Sequence, residues 1–231
     1  MKITKIIHTS DIHLDTSTKT QQTFIQIVNA CIKNKVSILI IAGDFFDTPF
    51  PEKKVINFVI REFKKLKKNN ISIFLIPGNN DPNLSGSVWR KTKFPENVFF
   101  FNKAGIKRIQ EIDIYGFPYI SDLISPIKSG FSTKDYAKIK IGMMHGSFVA
   151  KGNKIKSPIT LAQINQSNLD YLAIGHFHDF SKIKSKAKTY YAGSPVPGYG
   201  YTSTKPSINL LEIKNNKILV KRVFKKEDWE N

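Results

Sequence analysis

Cysteine is almost missing: Cys31 is the only one in 231 residues. No disulfide can close within the chain and no cysteine-based zinc site can form, so the fold must be held by packing. A chain of this length buries roughly 70–75% of its unfolded surface, enough for a core without staples. Acidic residues are scarce as well, 18 against 36 basic ones, for a formal charge of +18. Arginine is confined to positions 61, 90, 108 and 222, so lysine carries nearly all of that charge. The richness in Lys, Ile and Asn fits an AT-rich genome, but such bias does not explain the shortage of Asp and Glu. The balance points to affinity for polyanions rather than to sequence-specific reading of bases. Long apolar runs are lacking too. The longest, Ile38–Ala42, is far below the roughly 20 residues that span a bilayer. Met1–Asp11 has no A-x-A-like cleavage site. These absences exclude a membrane protein and predict a cytoplasmic one. No repeat, linker or low-complexity tract is present.

What is present begins as a regular alternation. Ile3–Thr9 reads as a buried strand and Gln21–Asn34 as a helix with Phe24, Ile27, Val28, Cys31 and Ile32 on one side. Val36–Ala42 is a continuous apolar run, as in a strand covered on both faces. Glu52–Asn69 is helical again, with Pro51 suited to its first turn and Val55, Phe58, Val59, Glu62, Phe63 and Leu66 as a stripe. Ile71–Ile76 is a third strand. This order predicts parallel strands and an α/β fold. Further strands are expected at Val98–Phe101, Lys107–Gln110, Ile112–Phe117, Lys140–Met144, Tyr171–Ile174, Thr189–Ala192, Ser207–Ile213 and Ile218–Phe224. Asn215-Asn216 is a hairpin turn and Ile159–Ser167 a helix. The expectation is one sheet of βαβ units with a second, more antiparallel sheet packed on it. Ser121–Lys138 and Ala150–Pro158 are expected to be mobile surface loops.

Chemistry gathers where the strands stop. The ends read Ser10-Asp11-Ile12-His13, Gly43-Asp44-Phe45-Phe46-Asp47, Pro77-Gly78-Asn79-Asn80-Asp81, Met144-His145-Gly146 and Gly175-His176-Phe177-His178. Each apolar run delivers Asp, Asn or His at its carboxyl end, the edge where open α/β sheets bind ligands. Carboxylate, amide and imidazole donors without thiolates suit Mn, Fe, Zn or similar ions and argue against a structural zinc. Asp11/His13 and His176/His178 alternate, so on extended chain each pair leaves the same side and can converge on one ion. Glycines at 43, 78, 146 and 175 permit sharp turns. One Asp-x-His alone would be an ordinary turn; five such segments, each after a strand, are hard to obtain from turn chemistry. His8, inside the first strand, reads as a packed core histidine.

These five segments resemble the calcineurin-like metallophosphoesterases, whose motifs are D-x-H, G-D-x-x-D, G-N-H-[DE], a separate His, and G-H-x-H. The resemblance runs from about Ile6 to Leu211. His8–Asp15, Ile41–Asp47, Asp170–His176 and Tyr191–Pro195 are similar to the SbcD/Mre11-like DNA exonucleases. The resemblance implies two packed mixed sheets flanked by helices, an α/β/β/α sandwich, with residues 1–224 as a single domain; the short tail 225–231, expected in place of a full capping domain, departs from those nucleases. It implies two divalent metals; manganese is the first expectation, with Fe, Zn, Ni or Mg as alternatives. Asp11, His13, Asp44 and His178 would hold one; Asp44, as the bridge, Asn79, His145 and His176 would hold the other, with Asp47 orienting its neighbours. A dimetal exonuclease-like phosphodiesterase acting on DNA or RNA follows. The departure is Asn80, which stands where the family has a histidine that serves the leaving oxygen. An amide cannot donate a proton near neutral pH. Asp81, that histidine's usual partner, would be left with Asn80 or solvent. Asn80 and Asp81 are the catalytic positions, and a metal-binding pseudoenzyme or a small-substrate phosphoesterase are the alternatives. With the capping region expected to be absent or reduced to that tail, a Rad50/SbcC-like ATPase partner is left open. Lys151, Lys154 and Lys156, and Arg90, Lys91 and Lys93 beside Trp89, would form a basic rim for nucleic acid or plain solvated loops. Phe45, Phe46, Tyr199 and Tyr201 would stack on a base or pack.

Overall fold

The computed structural model describes residues 3–133, 137–149, 156–198, 203 and 205–224. The chain begins with β1 (Thr4–Thr9), α1 (Thr18–Lys33), β2 (Ile38–Ala42), α2 (Lys53–Lys68) and β3 (Ser72–Ile76), the expected alternation. A short α3 (Val88–Lys91) leads to β4 (Val98–Phe100), β5 (Gly105–Ile109), β6 (Ile112–Phe117) and β7 (Ile139–His145). Then come β8 (Ser147–Phe148), β9 (Pro158–Ile159), α4 (Leu161–Gln166), β10 (Tyr171–Gly175), β11 (Ser181–Ile183) and β12 (Lys188–Tyr191). The hairpin β13 (Ser207–Lys214) and β14 (Lys217–Phe224) closes the series. Its turn has Asn215 and Asn216 at φ 51° and 58°, the left-handed pair that matches strand twist in a two-residue hairpin.

Two sheets of six strands face each other, ordered β14-β13-β1-β2-β3-β4 and β11-β12-β10-β7-β6-β5. The second sheet is not the more antiparallel one. In it β6, β7, β10 and β12 run parallel, with antiparallel pairs only at its edges through β5 and β11. The first sheet has the same balance, with β1 to β4 parallel and β13 and β14 antiparallel. Parallel neighbours need long crossovers. The described residues between β6 and β7 contain no helix, so periodicity gave no sign of a crossover there.

Strand parity assigns the layers. Ile38, Ile40 and Ala42 of β2 face the second sheet, where Ile114, Ile141, Met143, Tyr171 and Ala173 meet them. Leu39 and Ile41 face the other way, onto Phe24, Ile27, Val59 and Phe63 of the two long helices. A strand buried on both sides has to be apolar throughout, and all five β2 residues are buried. Helix α1 starts at Ser17, whose side chain accepts from Thr20 N–H. Helix α2 starts after Glu52, so Pro51 precedes the cap instead of filling the first turn. Its stripe includes Glu62, fully buried and reached by Lys65 at 2.7 Å and Arg61 at 3.1 Å. Helix α4 carries a capping box between Thr160 and Gln163 and lies on the outer face of the second sheet through Ile164.

The segment after β6 is more tied than a surface loop. Ile127 is fully buried, and Gln163 Nε2 donates to its carbonyl at 2.6 Å. The rest of that expectation, residues 134–136, and residues 150–155 of the second loop lie outside the described residues. So do Lys151, Lys154, Tyr199, Tyr201 and the tail 225–231. No helix among the described residues is long and apolar enough to cross a membrane.

Candidate metal centre

The carboxyl ends of β1, β2 and β3 meet those of β7 and β10. The chain after β1 pairs along the chain after β2: Asp11 N–H donates to Gly43 O at 3.1 Å, His13 N–H to Asp44 O at 3.0 Å and Leu14 N–H to Phe45 O at 2.8 Å. The second sheet joins through Asp11, whose carboxylate accepts His176 N–H at 3.0 Å. Ser194 Oγ–H fixes the Asp11 carbonyl at 2.8 Å. That contact gives the Tyr191–Pro195 segment a role in holding the site.

The donor pairs are not presented on extended chain. Asp11, His13 and Asp44 sit at φ 53°, 47° and 48°, and His176 at 102°. Left-handed backbone outside glycine costs about 1–3 kcal/mol each and persists where the surroundings over-determine it. The ladder between the first two segments and the Asp11–His176 bond supply that constraint. The convergence therefore comes from tight turns, not from strand alternation.

Two clusters result. His13 Nε2 and His178 Nε2 stand 3.3 Å apart, with Asp11 Oδ1 at 3.9 Å from His178. Asn79 Oδ1 lies 2.9 Å from His176 Nδ1 and 3.1 Å from His145 Nε2. Asp44 Oδ2 stands between the clusters, 3.7 Å from His13 Nε2 and 3.3 Å from His145 Nε2. Donor atoms of Asp11, His13 and His178 all fall within 4.8 Å of one another, as do those of Asp11, Asp44 and His145. A donor atom of Asp11 thus lies near both groups. Octahedral ligands bonded at about 2.1 Å sit about 3 Å apart, close to the separations of Asn79 from His176 and His145, while the Asp44–His13 and Asp11–His178 separations are longer.

His145 gives the sharpest test of whether a cation fits. Its Nδ1 lies 2.9 Å from Ala42 O, so that nitrogen bears the proton and the Nε2 lone pair is turned to the site. There it faces an amide oxygen and a carboxylate oxygen, both acceptors. Such a focus of lone pairs takes a proton or a metal ion. Burial disfavours protonation, but the charge and hydrogen bond of Asp44, with Asp11, prevail and lift His145 to about 9. Burial opposes ionisation of Asp44 too, yet His145, His13 and the Asn80 N–H hold its carboxyl well below the usual range. His13 and His176 are lowered, mainly by burial.

Glycines give the donors their room. A Cβ on Gly43 would lie 2.4 Å from His145 Nδ1, and one on Gly78 would lie 2.1 Å from Asp44 Oδ1. Asp47 reaches His13 Nδ1 at 3.4 Å from an exposed position. Asn80 is exposed; its N–H donates to Asp44 Oδ1 at 2.9 Å, and its Nδ2 lies 3.2 Å from both Asp44 Oδ2 and His13 Nδ1.

Asp81 is not left to Asn80 or solvent. It is fully buried, and its carboxylate accepts Phe45 N–H and Phe46 N–H at 3.0 Å and Gly78 N–H at 2.7 Å. It clamps the second and third segments together beneath the donors. Burial and the Asp44 charge push it well above the usual carboxylate range, against the pull of those amides. Phe45, Phe46 and Trp89 are buried in the aromatic cluster around Phe63 and pack there instead of offering faces to a base. His8, fully buried with Nδ1 at 2.9 Å from Tyr171 Oη, is the core histidine expected. Tyr119 and Asp122, bonded at 2.8 Å, join Lys156 at the rim and carried no motif signal.

A family model described as calcineurin-like phosphoesterase matches residues 4–220. An uncharacterized metallophosphoesterase of Bacillus subtilis, YhaO, is 29% identical over 74% of this chain and 48% of its own length. A DNA double-strand break repair protein Mre11 of Sulfurisphaera tokodaii is 30% identical over 77% of this chain and 50% of its own. A component of the SbcCD nuclease of Staphylococcus epidermidis is 24% identical over 93% of this chain and 67% of its own. The chain spans about half the length of the first two relatives.

Proposed function

This chain belongs to the calcineurin-like phosphoesterase family, on its Mre11/SbcD-like branch, and from that premise we propose that it is a dimetal phosphodiesterase acting on DNA or RNA at a rate limited by Asn80. The observation that carries the reading is the pair of donor clusters sharing Asp44, with His145 Nε2, Asn79 Oδ1 and Asp44 Oδ2 converging on one point. Asp11, His13, Asp44 and His178 would hold one ion, and Asp44, Asn79, His145 and His176 the other, manganese being the first choice. When bound, such a pair supplies an acidified water and positive charge for the phosphoryl oxygens.

The chain's own residues do the rest. Ala42 O fixes the His145 tautomer. Asn80 N–H fixes Asp44 Oδ1, which leaves Oδ2 for the shared position. Asp81 sets the distance between the two carboxylate-bearing turns. The Asn80 side chain can donate a hydrogen bond to a phosphoryl or leaving oxygen, but it cannot release a proton to it. Substrates whose leaving alkoxide needs that proton are slowed most, and activated aryl esters least. Residues 1–224 are the catalytic domain in this reading, and nucleic acid is the partner that the charge of +18 favours.

The same Asn80 favours a second reading, a metal-stabilised nucleic-acid-binding pseudoenzyme. Manganese-supplemented hydrolysis of a bis-aryl phosphate and of an oligonucleotide by wild type and Asn80→His separates the two. The phosphodiesterase reading expects wild-type turnover of the aryl diester. It also expects a gain of about 10²–10⁴-fold on the oligonucleotide in Asn80→His, with a smaller gain on the aryl ester. Wild type that binds metal yet cleaves neither substrate, while Asn80→His gains activity, transfers the natural protein to the second reading.

A further inference from the structure

A groove of about 550 Å³ adjoins the metal-donor turn. Pro82, the residue after Asp81, forms part of its wall, with Asn83, Arg90, Lys103, Tyr119 and Lys128. The wall is tied to the donor turn on both sides. Tyr119 N–H donates to Pro77 O at 3.4 Å, and Trp89 Nε1–H donates to Asp81 O. A second groove of about 400 Å³ shares Asn83, Arg90, Asn102 and Lys103 and extends the first along the surface.

Two features give this surface a chemical character. Arg90, Lys103 and Lys128 are exposed, and no Asp or Glu belongs to either lining among the described residues. Arg90 is oriented by neutral partners, Nε to Asn83 Oδ1 at 3.2 Å and a terminal nitrogen to Asn83 O at 3.4 Å, so its charge is aimed but not cancelled. Leu84 and Ile120 border the groove at 48% and 57% exposure, which leaves apolar surface beside the cations. Two other basic grooves lack this combination. The larger one, of about 600 Å³, lies at the amino ends of β10 and β12 and includes Asp170 and Glu212. The one on α2 includes Arg61 and Lys65, both paired with Glu62.

We propose that the groove beside the Asn79–Asp81 turn carries the phosphodiester backbone of a single nucleic-acid strand to the metal centre, with Arg90, Lys103 and Lys128 as its phosphate contacts. The occupant rests on the phosphodiesterase reading above. Unneutralised cations spaced along a groove track a backbone, and the apolar border and the Tyr119 ring accept bases without selecting among them.

The test is fluorescence anisotropy of labelled oligo(dT) with the full chain in EDTA, across a salt series, for wild type, Arg90→Glu, Lys103→Glu and the double variant. Lys64→Glu/Lys68→Glu on α2 is the control of equal charge change, and thermal melting verifies folding. The proposal expects each groove variant to lose about tenfold in affinity. The slope of log affinity against log salt should flatten by about 0.7 per lost contact, while the α2 control stays within about twofold of wild type. Equal losses in groove and control variants, or no loss in the groove variants, overturn it. The metal-free binding comparison decides the groove by itself. Wild-type failure to turn over either ester in the manganese assay counts against catalysis alone.

Discussion

Two buried side chains carry the most direct consequences at the residue scale. Burial holds His8 down at about 3, against the smaller effect of a backbone bond at Ile174. A histidine depressed in the folded state is neutral there while its unfolded counterpart protonates near 6.5. Its contribution is therefore complete above about pH 6.5 and is lost as pH falls toward 3, at up to about 1.4 kcal/mol per pH unit. Urea unfolding at pH 6.5 and pH 5 should show about 2 kcal/mol less acid loss in His8→Asn than in wild type. Asp81, fully buried, accepts three backbone amides. Asp81→Asn offers a single acceptor oxygen and leaves at least one amide unpaired, which should cost about 2–4 kcal/mol by chemical denaturation in EDTA and weaken metal binding in calorimetry. Residue types at this scale were legible: five polar tips after five apolar runs name their own chemistry. The partners of Asp81 were not, because the amides of Phe45 and Phe46 lie 36 and 35 residues away. Nor was the left-handed backbone at Asp11, His13 and Asp44, for which no glycine stands as a marker.

Among the elements, β2 meets β10 across the two sheets at the site. A Cβ on Gly175 would stand 2.0 Å from Ala42 O and 2.9 Å from His145 Nδ1. Gly175→Ala must therefore displace backbone or the carbonyl that sets the His145 tautomer. The expected result is a loss of about 1–3 kcal/mol together with a fall in metal affinity larger than that of Gly130→Ala, whose Cβ meets nothing within 4 Å. Calorimetric titration with manganese checks the ordering. Strands β1 to β3 and the two long helices were readable because period 2 and period 3.6 alternate cleanly there. Helix α3, with four residues, and the strands β8 and β9, with two each, are too short to show any period. The direction of β7 against β6 is set by its register with Ile112–Phe117, a non-local property that hydrophobic alternation does not encode.

The molecule as a whole concentrates two carboxylates and four histidines at one edge of a chain whose net charge is +18. An ion that binds the folded donor set and not the unfolded chain stabilises the fold, even where it must displace the proton His145 holds beside Asp44. At about 100 times its dissociation constant, each ion adds about 2.7 kcal/mol, or about 5–10 °C in melting temperature for a chain of this size. Manganese titration followed by EDTA in a thermal-shift assay checks the rise and its reversal. An unchanged melting temperature would remove the metal assignment. The layered architecture was visible from composition and order, whereas the groove beside the donor turn was not, since Arg90, Lys103 and Lys128 are separated in sequence and come together only on the folded surface.

The pairing of β1 with β13 places the opening strand of the chain beside one of its last, and His8 meets Asn209 across 201 positions. During synthesis the first sheet is thus exposed along one side from the moment β1 leaves the ribosome until Ser207–Lys214 follows. At about 5–20 residues per second that interval is roughly 10–40 s. Over that time β1, with Ile6 and Ile7 buried at its centre, has an unpaired edge, and the Asp11 turn beside it waits for His176 and Ser194 through most of the interval. That edge stays open for most of the time these residues take to be translated, and the candidate donor set is complete only after the last of the donor turns has emerged.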